Sequence, residues 1–500
     1  MTLAATPSPR GRKGTHLAWR LGAVAVLGMA GCHTSNDRVP TRVKPAAFVG
    51  PRPVSANRHQ TAESPIDLGL ALRLAGVENP TVNLAREAIR EARAEQQAAR
   101  ALLLPTVNVG GNFNLHRGNL QAANGSILDV DRQSLYLGGG AQAVGTGTLA
   151  FPGVRLFAHL GDAAYEPLAA RQRVGARAGD ARAVQNDVLL DVAAAYLDLI
   201  GAEERVRLLK QGEADLGEVV RLAAAHAKAG QGRQADADRA AAHFQLLARE
   251  AQVAEEERAV AAARLARLLN LDPAVRLRTP GGGVPTIRLI PADVPVESLL
   301  ETALRNRPEL FARSAEVGLA RVRRRQEAVR PFLPVVSVGF SGGAFGGGSN
   351  RASSDFGPLD GRTDFDVAAV WTVDGFGFGN RARVRRAEAG IGQAAAALQR
   401  ATAEVGRQVT EAHAQVQAAV EQFETATAAV SVAEEGFRLE AERIEQGQGR
   451  PIEVLDSFRQ LLDARLEVLR AVVAFDTAQF RLFAAVGSTP EAPPAGPPRP

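Results

Sequence analysis

Much of this chain is written twice. The segment ALRLAGVENPTVNLAREAIREARAEQQAARALLLPTVNVG, Ala71 to Gly110, has a counterpart in ALRNRPELFARSAEVGLARVRRRQEAVRPFLPVVSVG, Ala303 to Gly339. Within them Leu104–Gly110 matches Leu333–Gly339 at an offset of 229 residues. Later parts match at an offset of 217: Gly230-Gln231-Gly232-Arg233 with Gly447-Gln448-Gly449-Arg450, and Pro273 with Pro490. The chain is a tandem duplication of units roughly 200 residues long. Each copy follows one order: helix, strand, loop, strand, long helix, glycine turn, helix.

The long helices carry the strongest periodic signal. Asn380 to Gln446 contains no proline, and 18 of its 67 residues are alanine. Val409, Val416, Phe423, Val430, Phe437 and Ile444 recur every seven residues, beside Val405, Ala412, Ala419, Ala426 and Ala433. The first copy repeats the seam with Val192, Leu199, Val206, Val220 and Ala227, and with Val188, Ala195, Ala202, Leu209, Leu216 and Ala223. Heptad spacing of large and small residues predicts left-handed supercoiling. At 1.5 Å per residue such a helix reaches about 100 Å, more than a globular domain needs. It is a spacer.

Between the helices the period changes to two. Val107, Val109, Phe113 and Leu115 alternate with Asn108, Asn112, Asn114 and His116. Phe365, Val367, Ala369, Trp371 and Val373 alternate with their neighbours over Asp364–Asp374, and Val336, Val338, Phe340 and Ala344 continue the theme. A weaker, glycine-rich run extends from Leu135 to Phe151, and Arg117–Ser134 and Gly346–Arg362 read as loops. Each run has the length a tilted strand needs to cross a bilayer. Taken singly, each also fits a soluble antiparallel sheet with one wet face. Four strands cannot close a barrel, and open edges cannot face lipid. Strands in a membrane would therefore require several chains to share one barrel.

Catalytic constellations are missing. Gly339-Phe340-Ser341-Gly342-Gly343 fits G-x-S-x-G, but a glycine-rich loop follows where a nucleophile elbow needs a helix. Gly375-Phe376-Gly377-Phe378-Gly379 resembles a dinucleotide loop, but Asn380 stands where the third glycine of G-x-G-x-x-G should be, and no βαβ unit surrounds it. It reads as a turn from strand into helix. His226 and His243 flank the first glycine turn without a carboxylate partner, a poor metal site. No Walker A lysine is present, so the reading is a non-enzyme with no metal and no cofactor.

The N-terminus reads as an address. Arg10, Arg12, Lys13 and Arg20 precede a short apolar stretch ending at Met29-Ala30-Gly31-Cys32. Small residues before the chain's one cysteine resemble a lipobox, with Cys32 as the lipidation site; Met29 replaces the usual Leu. Removing residues 1–31 lowers the formal charge from +5 to +1. With aromatics at only 5%, a nucleic-acid surface is excluded.

These features together resemble the outer membrane efflux protein (TolC) family over Ser64–Gly487. Asn79-Pro80 and Arg307-Pro308 open helices, and Leu104-Pro105 and Leu333-Pro334 lead into strands. Trp371-Thr372-Val373-Asp374-Gly375-Phe376-Gly377 precedes the second long helix, and the turns at Gly230 and Gly447 complete the set. The resemblance implies a mainly α fold with membrane β: duplicated helix–β-hairpin–long helix–helix units in a homotrimer. Its α-barrel would carry a shared 12-stranded β-barrel. It implies a passive outer-membrane duct for efflux or type I secretion, extending into the periplasm. Its partners would be a periplasmic adaptor, an inner-membrane pump of the RND or ABC class, and outer-membrane lipid. Adaptor contact maps to Gly230, Gly232, Arg233, Gly447, Gly449 and Arg450, and a periplasmic aperture to Asp236, Glu453 and Asp456, with Arg239 breaking the pattern in the first copy. The expected plan is 1–31 signal peptide, 32–63 flexible linker anchored at Cys32, and 64–273 first repeat. Then follow 274–294 linker, 295–487 second repeat and 488–500 disordered tail. A non-conducting coiled-coil lipoprotein scaffold or adaptor is the alternative; it leaves the alternating strands without a role.

Overall fold

The structure, a computed structural model, describes residues 63–139, 154–230, 232–272, 274–352, 356–357, 359–446 and 449–490. Cys32, Pro273, Gly447 and the part of the Leu135–Phe151 run beyond Gly139 lie outside the described residues. Along the chain come β1 (Glu63–Pro65), α1 (Leu68–Glu78) and α2 (Pro80–Arg100). The strands β2 (Thr106–Val107), β3 (Gly110–Gln121), β4 (Ile127–Gly139) and β5 (Val154–His159) follow. The long helix α3 (Leu160–Lys228) then turns into α4 (Gln234–Leu268). After β6 (Arg276–Arg278) the order returns as α5 (Val296–Asn306), α6 (Pro308–Val329), β7 (Val335–Ser349), β8 (Asp360–Val370), α7 (Phe378–Glu445) and α8 (Pro451–Ala485).

Helices dominate because the heptad seams are the cores. Val405, Val409, Ala412, Val416 and Ala419 of α7 are buried against α5 and α8. Val192, Leu199, Leu209 and Leu216 of α3 are fully or almost fully enclosed, the first two against α1 and α4 and the latter two against α4 and α8. Small alanines on one helix admit larger side chains from the next, as close helix packing requires. In the half nearer the sheet, α3 lies between α2 and α6; in the other half it lies between α4 and α8. The helix α7 flanks α6 and α8.

The duplication is visible in the helix ends. The helix α4 ends on Asn270 and α8 on Gly487, both with positive φ (55° and 85°). The residue before each helix-opening proline then reaches the returning helix. Asn79 caps α2 through Thr81 N (2.8 Å), and its Nδ2 donates to Leu268 O (2.8 Å). Arg307 Nη1 donates to Ala484 O (3.1 Å), Nη2 to Gln408 Oε1 (2.5 Å), and the guanidinium pairs with Glu309 (3.1 Å). Its side chain is only 11% exposed. Arg307→Ala would strand a helix-end carbonyl and a carboxylate, at a cost of about 3 kcal/mol. We expect a lower denaturation midpoint by circular dichroism, partly restored by Arg307→Lys; an unchanged midpoint would remove Arg307 from this role.

Residues 279–295 form no helix or strand, yet they are pinned. Glu203 accepts hydrogen bonds from Thr279 N (3.1 Å) and Thr279 Oγ1. Asp476 Oδ1 accepts from Ile287 N (2.6 Å), and Gln479 Oε1 from Leu289 N (3.0 Å) and Ile290 N (2.9 Å). Asp476 and Gln479 are both buried on α8.

Three expectations need correction. Glu63, read as the end of the flexible linker, pairs in parallel with Arg276, and the adjoining Ser64 with Leu277. The Arg117–Ser134 loop is mostly strand, since β3 runs to Gln121 and β4 starts at Ile127. Antiparallel pairing continues through the charged residues because Arg117 faces Asp131 across the ladder (3.2 Å). The Gly346–Arg362 loop is likewise shortened by β7 and β8.

Candidate functional site

The sheet is inside out. The strand β7 pairs with β8 along one edge and with β4 and then β5 along the other, while β3 pairs with β4. Residues opposite each other in an antiparallel ladder share a face. One face therefore collects Phe113, Leu115, Leu135, Leu137, Val336, Val338, Phe340, Val154, Phe365 and Val367. Most of these point into the surroundings; Phe365 is 71% exposed. The other face carries Asn112, Asn114, His116, Ser134, Arg155, Ser341, Arg362, Asp364 and Asp366. On it Arg155 pairs with Asp366 (3.2 Å), Arg362 with Asp364 (3.0 Å), and the Arg362 guanidinium sits 5.9 Å from the Phe345 ring centre. Tyr136, Phe157 and Phe345 are the Phe and Tyr residues there. A water-soluble sheet puts its apolar face inward. This one does not.

Glycines let the polar face close. A Cβ on Gly343 would lie 2.5 Å from Leu137 O and 2.6 Å from Tyr136 Oη, so the tyrosine lies where a side chain would be. Neither outer edge of the sheet, β2–β3 or β8, has a partner among the described residues.

Where strands give way to helices, an apolar collar surrounds a charged network. Leu103, Leu104, Phe332, Trp371, Phe376 and Phe378 are exposed, Phe376 almost wholly at 99%. Behind them Asp162 accepts from Gln326 (2.7 Å) and Arg330 (2.6 Å), and Arg323 clamps Glu166 from α6. Burial alone would raise the Glu166 pKa, but Arg323 and Arg173 outweigh it and hold it lower. The glycine motif at 375–379 is a turn: Gly375 and Gly377 have φ of 52° and 89°. Asn380 Oδ1 accepts from Asp374 N (3.2 Å) and Arg383 (3.1 Å), so the residue in the third-glycine position is the clamp of that turn.

Farther along the helices, a groove of about 1100 Å³ runs between α3, α4, α7 and α8 on the side away from residues 279–295. Asp198, Glu256 and Glu257 supply its negative charges and Arg205, Arg264, Arg470 and Arg481 its positive ones. Burial raises the Asp198 pKa against the pull of Arg264 and Arg481, and raises Asp191 against Arg267. Both carboxylates sit at exposed positions of α3, where the charge of nearby arginines opposes the rise.

At the far end the two helix turns are built alike. Gly232 N donates to His226 O (3.1 Å), and Gly449 N donates to Arg443 O (3.0 Å). Gly230 has φ of 75°, and a Cβ on Gly449 would lie 2.9 Å from Ile444 N. Arg233 and Arg450 are exposed next to them. Asp236 N and Glu453 N donate to Arg233 O and Arg450 O (both 3.0 Å), so the two acids hold equivalent first-turn positions. Glu453 Oε2 is also the cap of α8, accepting from Arg450 N (3.4 Å), while Asp456 is exposed one turn on. One core containing Ala237, Ala240, Ile444, Val454 and Phe458 holds both turns side by side.

The remaining motifs carry no chemistry together. His226 Nδ1 lies 3.1 Å from Leu222 O on its own helix, and no metal-binding cluster occurs among the described residues. Ser341 sits mid-strand, 3.4 Å from Asp364. Sequence reasoning missed Asp476 and Gln479 and the roles of Arg307 and Asn380; the partners that matter for Arg307, Asp476 and Gln479 are 101 to 190 residues away, beyond any local pattern. No described helix is long and apolar enough to cross a membrane.

Comparisons with known proteins agree with this geometry. Residues 299–488 match the family model described as outer membrane efflux protein. No curated protein matches the chain. Among solved structures, a membrane protein from Pseudomonas aeruginosa superposes with a TM-score of 0.68 at 22% identity, covering 84% of this chain and 92% of its own. The Campylobacter jejuni CmeC outer membrane channel gives 0.69 at 15% identity, covering 86% and 90%. The open-state Neisseria gonorrhoeae MtrE outer membrane channel gives 0.65 at 19%, covering 85% and 89%. The second copy, over residues 299–488, matches the outer membrane efflux protein model, and the fold shared with these solved channels spans both copies.

Proposed function

We propose that three copies of this chain form a passive efflux duct, their four-strand-wide sheets closing one 12-stranded barrel in the outer membrane and their helices an α-barrel in the periplasm. The inverted sheet carries this reading: its apolar face is exposed, its polar face is the more sheltered one along β3, and neither outer edge has a partner among the described residues. Lipid tolerates no unpaired backbone, so each edge must meet another chain. A scaffold or adaptor would have no use for such a sheet.

The helices offer a matching seam. Leu246, Val253 and Val260 recur every seven residues on the free side of α4 and stay exposed, as do Val432 and Leu439 on α7. Counted from the helix turns, Leu246 and Val432 stand at nearly the same height. We expect Leu246→Cys with Val432→Cys to oxidise into covalent trimers, and neither single variant to do so. A double variant that stays monomeric would count against the assembly.

In this reading residues 1–31 are removed, Cys32 carries lipid, and residues 64–273 and 295–487 are the two repeats. Gly230, Gly232, Arg233, Gly447, Gly449 and Arg450 meet a periplasmic adaptor that couples the duct to an RND or ABC pump. Glu453 and Asp456, with Asp236, would narrow the periplasmic mouth into a cation-favouring ring when three chains meet. The solved relatives' names as outer membrane channels support the role.

A further inference from the structure

Just beyond the apolar collar the helices carry a surplus of unpaired positive charge. Arg93 and Arg100 on α2, Arg321 and Arg325 on α6, and Arg381 and Arg385 on α7 are all exposed, and none has an ion-pair partner among the described residues. At 1.5 Å per residue, all six lie within about 12 Å of the helix ends that meet the sheet. Most acids of the same stretch are already engaged: Glu95 by Arg173 (3.2 Å), Glu327 by Arg383 (3.3 Å) and Glu388 by Arg324 (3.2 Å). Glu91 alone among the α2 acids near these arginines has no ion pair.

The arginines of α7 have a definite side. Arg385 precedes Gly406 by three heptads and His413 by four, and those residues face Leu300 of α5 and Val294 O. Arg385, and Arg381 one turn before it, therefore lie on the side of α7 that carries α5 and residues 279–295, away from the large groove. Guanidinium forks match phosphate oxygens two bonds at a time.

We infer that this belt binds phosphate headgroups of the membrane leaflet next to the collar and prefers anionic phospholipid. The inference rests on the sheet's being membrane-embedded. The collar places the helix ends at the depth where headgroups begin, and the arginines reach into that layer. Basic residues beside a membrane-embedded segment are drawn to anionic lipid in this way.

The test melts the full chain in zwitterionic detergent with added phosphatidylglycerol, phosphatidylcholine or inorganic phosphate, at low and high salt. Phosphatidylglycerol should raise the midpoint most, and high salt should erase its advantage. Replacing all six arginines with glutamine should weaken the apparent affinity for phosphatidylglycerol on the order of tenfold or more, while six lysines keep most of it. Should the glutamine variant fail to fold, Arg381→Gln with Arg385→Gln should show a smaller loss in the same direction. Equal stabilisation by inorganic phosphate overturns the lipid assignment. So does an undiminished phosphatidylglycerol preference in the glutamine variant, including the case where its pores change ion selectivity because the arginines line the duct. Wild-type conductance in planar bilayers keeps the two readings apart: without pores the barrel falls, and with pores but no lipid preference only this inference falls.

Discussion

Replacing Gly343 with valine should abolish pore formation while leaving the helices folded. The new Cβ would stand 2.5 Å from Leu137 O, 2.6 Å from Tyr136 Oη and 2.9 Å from Gly138 Cα. Two of those three atoms are backbone, so a rotamer change cannot relieve the clash. Relief requires β4 to leave β7, and that pairing joins the first hairpin to the second. The cost is at least about 3 kcal/mol, the upper end of overpacking. Gly361→Val is the control, because a Cβ there meets nothing within 4 Å. Conductance in planar bilayers and helical circular dichroism separate the outcomes. Normal pores from Gly343→Val would mean that β4 and β7 do not pair as described.

Asp476→Asn should stabilise the protein at pH 8 and leave it nearly unchanged near pH 4, below the window in which the carboxyl titrates. Asp476 is 0% exposed, and its Oδ2 has no hydrogen-bond partner. Burial pushes its pKa from 3.8 up to about 7, against the smaller opposing pull of the Ile287 N–H bond. A carboxyl whose folded pKa is raised stabilises fully below its unfolded pKa and loses that contribution as pH rises through the folded one. The loss runs from about pH 4 to about pH 7 and totals on the order of 4 kcal/mol. Asparagine resembles the protonated acid and keeps an acceptor for Ile287 N. Wild-type midpoints should fall across that window, and those of the variant should stay level. Parallel pH profiles for the two proteins would place the titration elsewhere.

The long helices were legible because burial along them repeats without interruption. Val409 and Val416, read as one seam, are wholly enclosed, and Ile444 is buried near the seam's end. Strand positions were legible through alternation, but the reach of the first hairpin was not. Arg117, Asn119, Asp129 and Asp131 look like loop residues, and only the ladder between them makes them strand. The glycine turns were recognisable from their repetition at 217 residues, and the same offset recurs in their hydrogen bonds. What escaped detection were single polar residues that tie distant segments, such as Asp476 to Ile287. Such residues have no period. A lone buried Asp in an apolar helix face looks like any surface acid until its neighbour is known.

The unpartnered outer strands have a consequence for how the protein is made. Among the described residues a solitary copy leaves two strand edges without partners beside a greasy surface, the combination that seeds aggregation. In the proposed assembly its lifetime between export and membrane would have to be short or chaperoned, and sheet closure and subunit recruitment would be one event. Co-production of Gly343→Val chains would then poison the wild type, since one defective member would spoil every ring it joined.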